Sequence, residues 1–306
     1  MPVGSDQTLD SPTVLLTGAS SQIGVFAIPR LLAAGFCVLA VSRNGRPQAF
    51  PEFEKVQWLN ETDAMNPTRN CQYFLSAGPM ELAQRFLASD HKYKAVCVFS
   101  SSSVESKQQS ANPVERNQIQ GMTRLESELQ ASSRKMDFKL VILRPTLIYG
   151  CGLDTNISRL ASWIRRFGFI PLNGRAVGLR QPVHADDLAS VAISVLTSKQ
   201  ALPGVLSVSG GDSISYSDMV ARIFVAMEKP VRLLRLPEWL FVMLVKIAGI
   251  FNLAGGVNSE MVKRQQLDLV FDDRQAIQLL DYKPRPFTPC KQDFSIPVLF
   301  TKVDNP

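Results

Sequence analysis

A short polar turn after an apolar run is the clearest chemical signal in the sequence. The segment VLLTGASSQIG places Gly18 and Gly24 on either side of that turn. Gly18 permits a tight turn, Gly24 permits close packing of the next helix, and the helix N-terminus adds about half a positive charge. Backbone amides there can face a pyrophosphate, so the spacing predicts a dinucleotide-binding loop, with an ordinary strand-to-helix turn as the alternative. The candidate cofactor-binding residues of this loop are Gly18, Ser20, Ser21, Gln22, Ile23 and Gly24.

The end of the second apolar run bears on the choice of nucleotide. The segment SRNGR carries Ser42 and Arg43 where a carboxylate would bind a ribose 2′-hydroxyl. Arg43, with Arg46 as a second candidate, could instead pair with a 2′-phosphate. The sequence therefore favours NADP(H) as the cofactor, with NAD(H) also possible. The alternative interpretation of Arg43 is a solvated arginine on the surface.

These residues need secondary-structure elements to position them, and the first half of the chain supplies an alternating pattern. Short apolar runs alternate with stretches of helical spacing from 11 to about 145, which is typical of an α/β fold with a parallel sheet. Strands are predicted at 13–17, 37–42, 56–59, 73–77, 95–99 and 139–144, with a seventh from 204. Helices are predicted at 23–34, 80–89, 113–133, 155–167 and 186–197, and the chain from 217 is mainly helical. Pro29 predicts a kink or a local break in the first helix.

Composition narrows the class of protein. The chain has 306 residues, 45% hydrophobic and 20% charged, which predicts a globular protein of one large domain or two interleaved lobes. The formal net charge of +6 comes from dispersed cations, which favours anionic small molecules over nucleic acid. Five separated cysteines and two histidines argue against a zinc site or a disulfide framework.

Two observations concern location. The first twelve residues have neither a basic start nor an apolar core, so no signal peptide is predicted and a cytoplasmic location is expected. The apolar segment 239–257 is interrupted by Lys246, Asn252 and three glycines, which makes it a poor membrane-spanning helix. A core helix followed by a turn is expected there, with attachment at a membrane surface as the alternative.

Four motifs together resemble a known family. TGASSQIG, FSSSS, LRPTLIYG and GLRQPVHADDLA occur in the order found in extended or atypical short-chain dehydrogenase/reductases, nearest the NAD(P)-dependent epimerase/dehydratase branch. The resemblance implies a Rossmann-type doubly wound parallel sheet at 11–150 and 183–209. It also implies a smaller, mainly helical substrate lobe at 151–182 and 210–306. The implied activity is that of an oxidoreductase or epimerase acting on a nucleotide sugar or a similar anion.

The resemblance also implies catalytic positions. Counting back from Val104 places Ser101 where the family's serine binds the reacting oxygen, with Ser102 as the alternative and turn chemistry as the structural explanation. The family's YxxxK pair falls on Gln120 and Arg124. Neither side chain can shuttle a proton near neutral pH, so the usual acid–base step has no obvious carrier.

Other residues could compensate for that loss or replace it. Glu105 and His184 are candidate proton carriers, although a surface carboxylate and a loop-capping histidine are their simpler interpretations. The loss of the pair also supports a second hypothesis, a catalytically silent NADP(H)-binding protein with a structural, assembly or sensing role. The motif around RQPV also resembles the NADPH-binding accessory subunit of respiratory complex I, which is not an oxidoreductase in its own right, so Arg180 alone does not decide between the two hypotheses.

The resemblance finally implies substrate contacts. Arg180 falls where nucleotide-sugar epimerases hold the substrate diphosphate, and Lys263 or Arg264, with Arg264 preferred, falls near a second such cation. An ion pair with Asp186 or Asp187 is the structural alternative for Arg180. Tyr149 is expected to line the cofactor side, with a place in the core as its alternative. The expected partner is a small molecule; no nucleic acid, metal or membrane is expected, and a homodimer is left open.

Overall fold

Parallel strands form the centre of the computed structural model, which describes residues 11–47, 50–66, 70–250 and 259–295. The described strands are β1 (Thr13–Thr17), β2 (Cys37–Val41), β3 (Val56–Leu59), β4 (Tyr73–Ser76), β5 (Ala95–Phe99), β6 (Lys139–Pro145), β7 (Ile148–Tyr149), β8 (Ile170–Asn173), β9 (Leu179–Arg180), β10 (Val183–His184), β11 (Val205–Val208), β12 (Ile214–Ser215) and β13 (Leu233–Leu236). The described helices are α1 (Gly24–Ala33), α2 (Glu61–Ala64), α3 (Met80–Leu87), α4 (Ser103–Ser106), α5 (Pro113–Met136), α6 (Ile157–Phe167), α7 (Ala185–Thr197), α8 (Tyr216–Ala226), α9 (Glu238–Ile250), α10 (Ser259–Arg264) and α11 (Arg274–Leu280).

The central sheet has seven strands in the order β11-β6-β5-β4-β1-β2-β3. Every pair in it is parallel, so the six strands predicted from apolar runs and the seventh after Gly204 are confirmed. The strand order reverses between β1 and β4. Ligands of such open sheets bind at the carboxyl ends of the strands near that reversal.

Both faces of the sheet are buried, which explains the continuous apolar runs. In β1, Val14 and Leu16 belong to one core cluster, whereas Leu15 belongs to a second cluster on the opposite face. Helices α1 and α7 pack together on the first side, and α3 packs against α5 on the second. The predicted Rossmann-type α/β fold is therefore confirmed.

Some predicted elements differ in detail. Helix α1 continues through Pro29, so the expected break does not occur. Helix α5 extends three residues beyond the predicted end and stops at Asp137, whose left-handed φ of 53° ends the helix. Strand β13 was not predicted, because it pairs only with β8 and its side chains are mostly exposed or half-buried.

A third core cluster lies outside the central sheet. It joins α6, α8 and β8, with Phe224 and Phe287 among its fully buried side chains. The division into 11–150 with 183–209 and 151–182 with 210–306 stays a prediction. Within the described part of the chain, no helix has the length and apolarity needed to cross a bilayer.

Candidate cofactor loop and substrate cavity

The turn between β1 and α1 has the backbone shape expected of a dinucleotide-binding loop. Gly18 has a φ of 68°, and a Cβ there would lie 2.5 Å from the backbone of Ala77 and Gly78. A Cβ on Gly24 would lie 2.2 Å from the Gly18 carbonyl oxygen. The hydroxyl of Ser21 accepts a hydrogen bond from the Gly24 amide at 3.2 Å. The two glycines thus occupy positions where a side chain would displace the loop.

The rest of the loop connects the sheet edge to a large cavity. Ser20 Oγ lies 3.3 Å from Ser42 Oγ at the end of β2, whereas Ile23 is buried in the core. Gln22 lines the cavity, and its buried Oε1 has no hydrogen-bond partner among the described residues. A buried amide oxygen without a partner is a site that a ligand donor can satisfy.

Arg43 and Arg46 differ in their availability. Arg43 is exposed and forms no ion pair with any described residue. Arg46 pairs with Glu52 at 3.3 Å and donates a hydrogen bond to the Phe50 carbonyl at 3.2 Å. Arg43 is therefore the freer of the two cations for a phosphate.

A cavity of about 930 Å³ lies beside the carboxyl ends of the strands. Its polar wall includes Ser101, Ser102, Lys107, Arg180 and Arg264. Apolar residues from β13 and α9 line another part of the same cavity. A cavity of this size with few polar groups is suited to a small-molecule ligand.

The serines of the run after β5 line the cavity but differ in their hydrogen bonds. Ser100 donates to the Glu126 carboxylate at 2.5 Å, and Arg144 binds the same carboxylate. Ser101 Oγ accepts the Ser103 amide hydrogen at 3.1 Å, which leaves its own hydroxyl hydrogen for a cavity ligand. Ser102 is more buried and lies at the start of α4. The geometry is compatible with the predicted role of Ser101.

Gln120 and Arg124 do not line this cavity, contrary to the implied position of the YxxxK pair. Both lie on the exposed face of α5, in a separate shallow cleft. Arg124 pairs with Glu128 one turn later at 2.7 Å. The buried face of α5 carries Ile119 and Glu126 instead. The structure thus separates the two residues from the serines that they were expected to serve.

Lys107 is a cavity residue that the motifs did not indicate. It follows α4 directly, and its side chain forms no hydrogen bond or ion pair with the described residues. Burial, together with the nearby Arg264, lowers the pKa of Lys107, while Glu115 acts in the opposite direction. The cavity therefore contains an amine whose neutral form is favoured relative to an exposed lysine.

Arg264 and Glu115 form an ion pair within the cavity wall. Both side chains are mostly buried, and Glu115 also accepts a hydrogen bond from Ser110 at 2.6 Å. Lys263, the other candidate cation, lies 3.6 Å from Glu260 and is half exposed. Arg264 is thus the cavity cation of the two, although its charge is balanced by Glu115.

Arg180 is a buried cation with no carboxylate partner among the described residues. It is 6% exposed, and its guanidinium donates to the carbonyls of Leu179, Leu267 and Arg264 at 2.7, 2.8 and 2.6 Å. The Tyr216 ring lies 5.4 Å from it. Burial lowers the pKa of Arg180. Of its five N–H groups, two have no partner among the described residues, so they remain available to a ligand.

The alternative ion pair proposed for Arg180 does not form. Asp186 pairs instead with Arg30 at 2.5 Å, and Arg285 pairs with both Asp186 and Asp187 at 2.7 Å. These contacts fix the start of α7 against α1 and the chain after α11. Arg180 therefore lines the cavity without an ion pair to Asp186 or Asp187.

Three further candidate residues, Tyr149, His184 and Glu105, make contacts that stabilise the fold. Tyr149 is 1% exposed and packs edge-on against His184 and Phe287, so it lies in the core instead of the cavity wall. His184 caps α7 by accepting the Asp186 amide hydrogen at 3.0 Å, and its Nε2 lies 3.3 Å from Asp293. Glu105 pairs with Arg144 at 2.8 Å. The simpler interpretations of His184 and Glu105 fit these contacts.

Comparisons with known proteins place this geometry in context. A UDP-glucose 4-epimerase of Vibrio cholerae is 26% identical over 166 residues, which are 54% of this chain and 48% of that protein. The match therefore spans about half the length of this curated relative. No family model matches the chain.

Solved structures cover nearly the whole chain. A UDP-glucuronic acid 4-epimerase from Bacillus cereus, solved with UDP-glucuronic acid and NAD, has a TM-score of 0.67 at 16% identity, over 94% of this chain and 98% of that one. An epimerase from Methanothermobacter thermautotrophicus has a TM-score of 0.68 at 13% identity, over 93% and 90%. The chain has the fold of the nucleotide-sugar epimerases. This likeness confirms the fold that the resemblance to extended short-chain dehydrogenase/reductases implied.

Proposed function

We propose that the protein is an NAD(P)-dependent oxidoreductase or epimerase that acts on a nucleotide sugar or a similar anionic molecule. Arg180, which is buried and has no ion-pair partner among the described residues, is the observation that carries the proposal. Asp268 acts on this guanidinium electrostatically but forms no ion pair with it. Burial of a guanidinium without an ion-pair partner is costly, and a diphosphate in the cavity would supply that partner. The fold and the named activities of its relatives support the same class of reaction.

The loop at 18–24 would hold the cofactor. Its glycines leave no room for a side chain, and the unpartnered amide oxygen of Gln22 borders the cavity. Both features fit a dinucleotide whose pyrophosphate lies at the start of α1. The nicotinamide group, when bound, supplies the acceptor and donor of the hydride.

The residues of the chain would then orient the substrate and move the proton. Arg180 would bind a phosphate, and the Ser101 hydroxyl would donate a hydrogen bond to the reacting oxygen of the sugar. Lys107 would exchange the proton with that oxygen, because it is the cavity amine without a partner in the described structure. Its lowered pKa makes the neutral, proton-accepting amine available at lower pH than in an exposed lysine.

The substitution Arg180→Gln tests whether Arg180 binds the diphosphate of the substrate. We expect UDP-sugars and UDP to raise the melting temperature of the wild-type protein, and the variant to lose at least about tenfold in affinity for them, as removal of a charge-assisted bond implies. Thermal shift and calorimetry measure both effects. Arg175→Gln, at an exposed arginine outside the cavity lining, is the matched control. Equal affinities in wild type and Arg180→Gln would contradict the assignment.

The preference for NADP(H) rests on Arg43. Arg43→Asp is expected to weaken NADPH binding by about tenfold or more and to change NADH binding little, because the lost charge-assisted bond involves the 2′-phosphate alone. Fluorescence titration of both nucleotides measures the ratio. Arg46→Asp serves as the control, since Arg46 already pairs with Glu52. A parallel loss for both nucleotides would refute the 2′-phosphate assignment.

Mass spectrometry of nucleotides released from the denatured protein separates the two hypotheses of function. A nicotinamide nucleotide together with a nucleotide sugar would support the enzyme and name its substrate. NADP(H) alone, with no turnover of any nucleotide sugar, would support the catalytically silent protein. We further propose a cytoplasmic location, supported by five unpaired cysteines and tested by cell fractionation.

A further inference from the structure

Helix α9 is apolar on every side, yet the described residues leave one side of it uncovered. Its sequence EWLFVMLVKIAGI contains charged residues only at Glu238 and Lys246. Phe241 is buried and lines the cavity, whereas Trp239 is 69% exposed on the opposite side of the helix. A helix with apolar residues all around is normally buried all around. The segment therefore forms the expected helix, but among the described residues only one side of that helix is buried in the core.

The uncovered surface continues beyond the helix. Met243 and Leu244 are 43% and 44% exposed, Leu234 of β13 is 48% exposed, and Phe169 before β8 is 38% exposed. We call these four residues and Trp239 the α9 patch. Phe169, Leu234 and Leu244 also line the cavity, so the patch includes part of the cavity mouth. Several large apolar side chains exposed on one helix and at the mouth of an adjoining cavity mark an interaction site.

Unpaired cations lie in the segments that carry the patch. Arg165 and Arg166 are in the last turn of α6, just before Phe169. Arg232 lies two residues before Leu234 and therefore on the same side of the chain, whereas Arg235 of β13 lies on the opposite side. All four are exposed, and none forms an ion pair with the described residues. The nearest acids in the sequence are engaged elsewhere. Glu228 contacts Lys291 at 3.5 Å, and Glu238 accepts a hydrogen bond from Asn173 at 3.4 Å.

We propose that the α9 patch docks on the surface of an anionic lipid bilayer, with α9 lying in the plane of the interface. The apolar side chains would enter the boundary between headgroups and acyl chains, and the arginines would meet the anionic headgroups. With 13 residues, α9 is shorter than the ~20 residues that a spanning helix needs. Trp239 has the side chain that is most typical of a membrane interface.

The charges favour a bilayer over a second copy of the chain. A symmetric dimer through the α9 patch would bring the same patch of both subunits together. Such a dimer would bring the unpaired arginines of both subunits close to one interface, and like charges at an interface are costly. An anionic lipid surface supplies the opposite charge. The inference does not depend on the proposed activity, because binding to lipid needs neither cofactor nor substrate.

Sedimentation with lipid vesicles tests the proposal on the full chain. We expect the protein to bind phosphatidylcholine vesicles that contain phosphatidylglycerol, and to bind pure phosphatidylcholine vesicles at least about tenfold more weakly. Tryptophan emission should shift to shorter wavelength on binding, and this shift should disappear in Trp239→Phe. The shift reports Trp239, because the other two tryptophans, Trp58 and Trp163, are already partly buried.

Variants separate the apolar and the charged contributions. The double variant Trp239→Ser/Met243→Ser is expected to lose at least about tenfold in partitioning onto the anionic vesicles. Arg232→Glu should lose a factor of about five and part of the salt dependence, as removal of one arginine near an anionic surface implies. Ile277→Ser is the matched control. Ile277 is an apolar residue of α11, outside the α9 patch, and it is 43% exposed, as Met243 is.

Two outcomes would overturn the proposal. The first is a wild-type protein that stays in the supernatant with both kinds of vesicle. The second is a concentration-dependent dimer in analytical ultracentrifugation that becomes a monomer in Trp239→Ser/Met243→Ser, because the patch would then be covered by a second copy. Folding of each variant is checked by its melting temperature, which an exposed substitution should leave nearly unchanged.

Discussion

Replacing Lys107 with methionine is expected to lower kcat by about 10²- to 10⁴-fold, the usual contribution of a positioned acid or base. The substitution keeps the length of the side chain and removes the amine. Nucleotide-sugar affinity should change little, because Arg180 and the loop at 18–24 remain. Steady-state turnover, together with calorimetric binding, separates the two effects. Lys135→Met, at an exposed lysine in the last turn of α5, is the matched control.

The pH profile gives a second readout for Lys107. Its pKa is lowered below the ordinary lysine value of 10.5, so the neutral amine appears at lower pH than in an exposed lysine. If Lys107 accepts the proton, kcat should rise with pH along a limb centred below 10.5. Lys107→Cys treated with 2-bromoethylamine restores an amine and should recover part of kcat. The treated wild-type protein controls for reaction at the exposed Cys290.

A Lys107→Met variant with wild-type kcat would contradict this role. The next candidate would then be Tyr216, which also lines the cavity and contacts Arg180. Burial raises the pKa of Tyr216, which makes it the weaker candidate for proton exchange at neutral pH. A chemically silent protein would give a different result, because neither the wild type nor any variant would turn over a nucleotide sugar.

The sequence predicted the sheet well because the strands obey a local rule. Val96, Cys97 and Val98 are fully buried on a sheet covered on both faces, so the strand appears as an uninterrupted apolar run. Strand β13 escaped prediction because it lies outside that sheet. Its segment LLRL mixes exposed and half-buried positions, and it pairs with a single neighbour.

The candidate site was only partly predictable, because its side chains are positioned by distant parts of the chain. The YxxxK alignment placed Gln120 and Arg124 in the site, but the orientation of α5 depends on which face is buried. That face includes Glu126, a charged residue that is buried through contacts with Ser100 and Arg144 from other elements. No pattern within the helix reveals this. Lys107 was missed for the same reason, since the charges that act on it, those of Glu115 and Arg264, belong to other segments.

The loop at 18–24 was predictable because its constraints are local, and they imply a large effect for one substitution. Gly24→Ala is expected to lower the free energy of unfolding by about 1–3 kcal/mol, as overpacking does. It should also abolish measurable binding of NAD(P)H. The new Cβ would lie 2.2 Å from the Gly18 carbonyl oxygen and 2.6 Å from that of Ala19. Both atoms belong to the backbone of the turn, so the loop itself must move.

Gly121→Ala is the matched control for this prediction, because Gly121 is also helical but a Cβ there meets nothing within 4 Å. Replacing an unhindered helical glycine with alanine should stabilise the protein by about 0.5–1 kcal/mol. Chemical denaturation gives both free energies, and nucleotide titration gives both affinities. If Gly24→Ala still bound NADPH as tightly as Gly121→Ala, the close approach of α1 to the turn would not shape the nucleotide site. The cofactor would then have to bind elsewhere on the sheet edge.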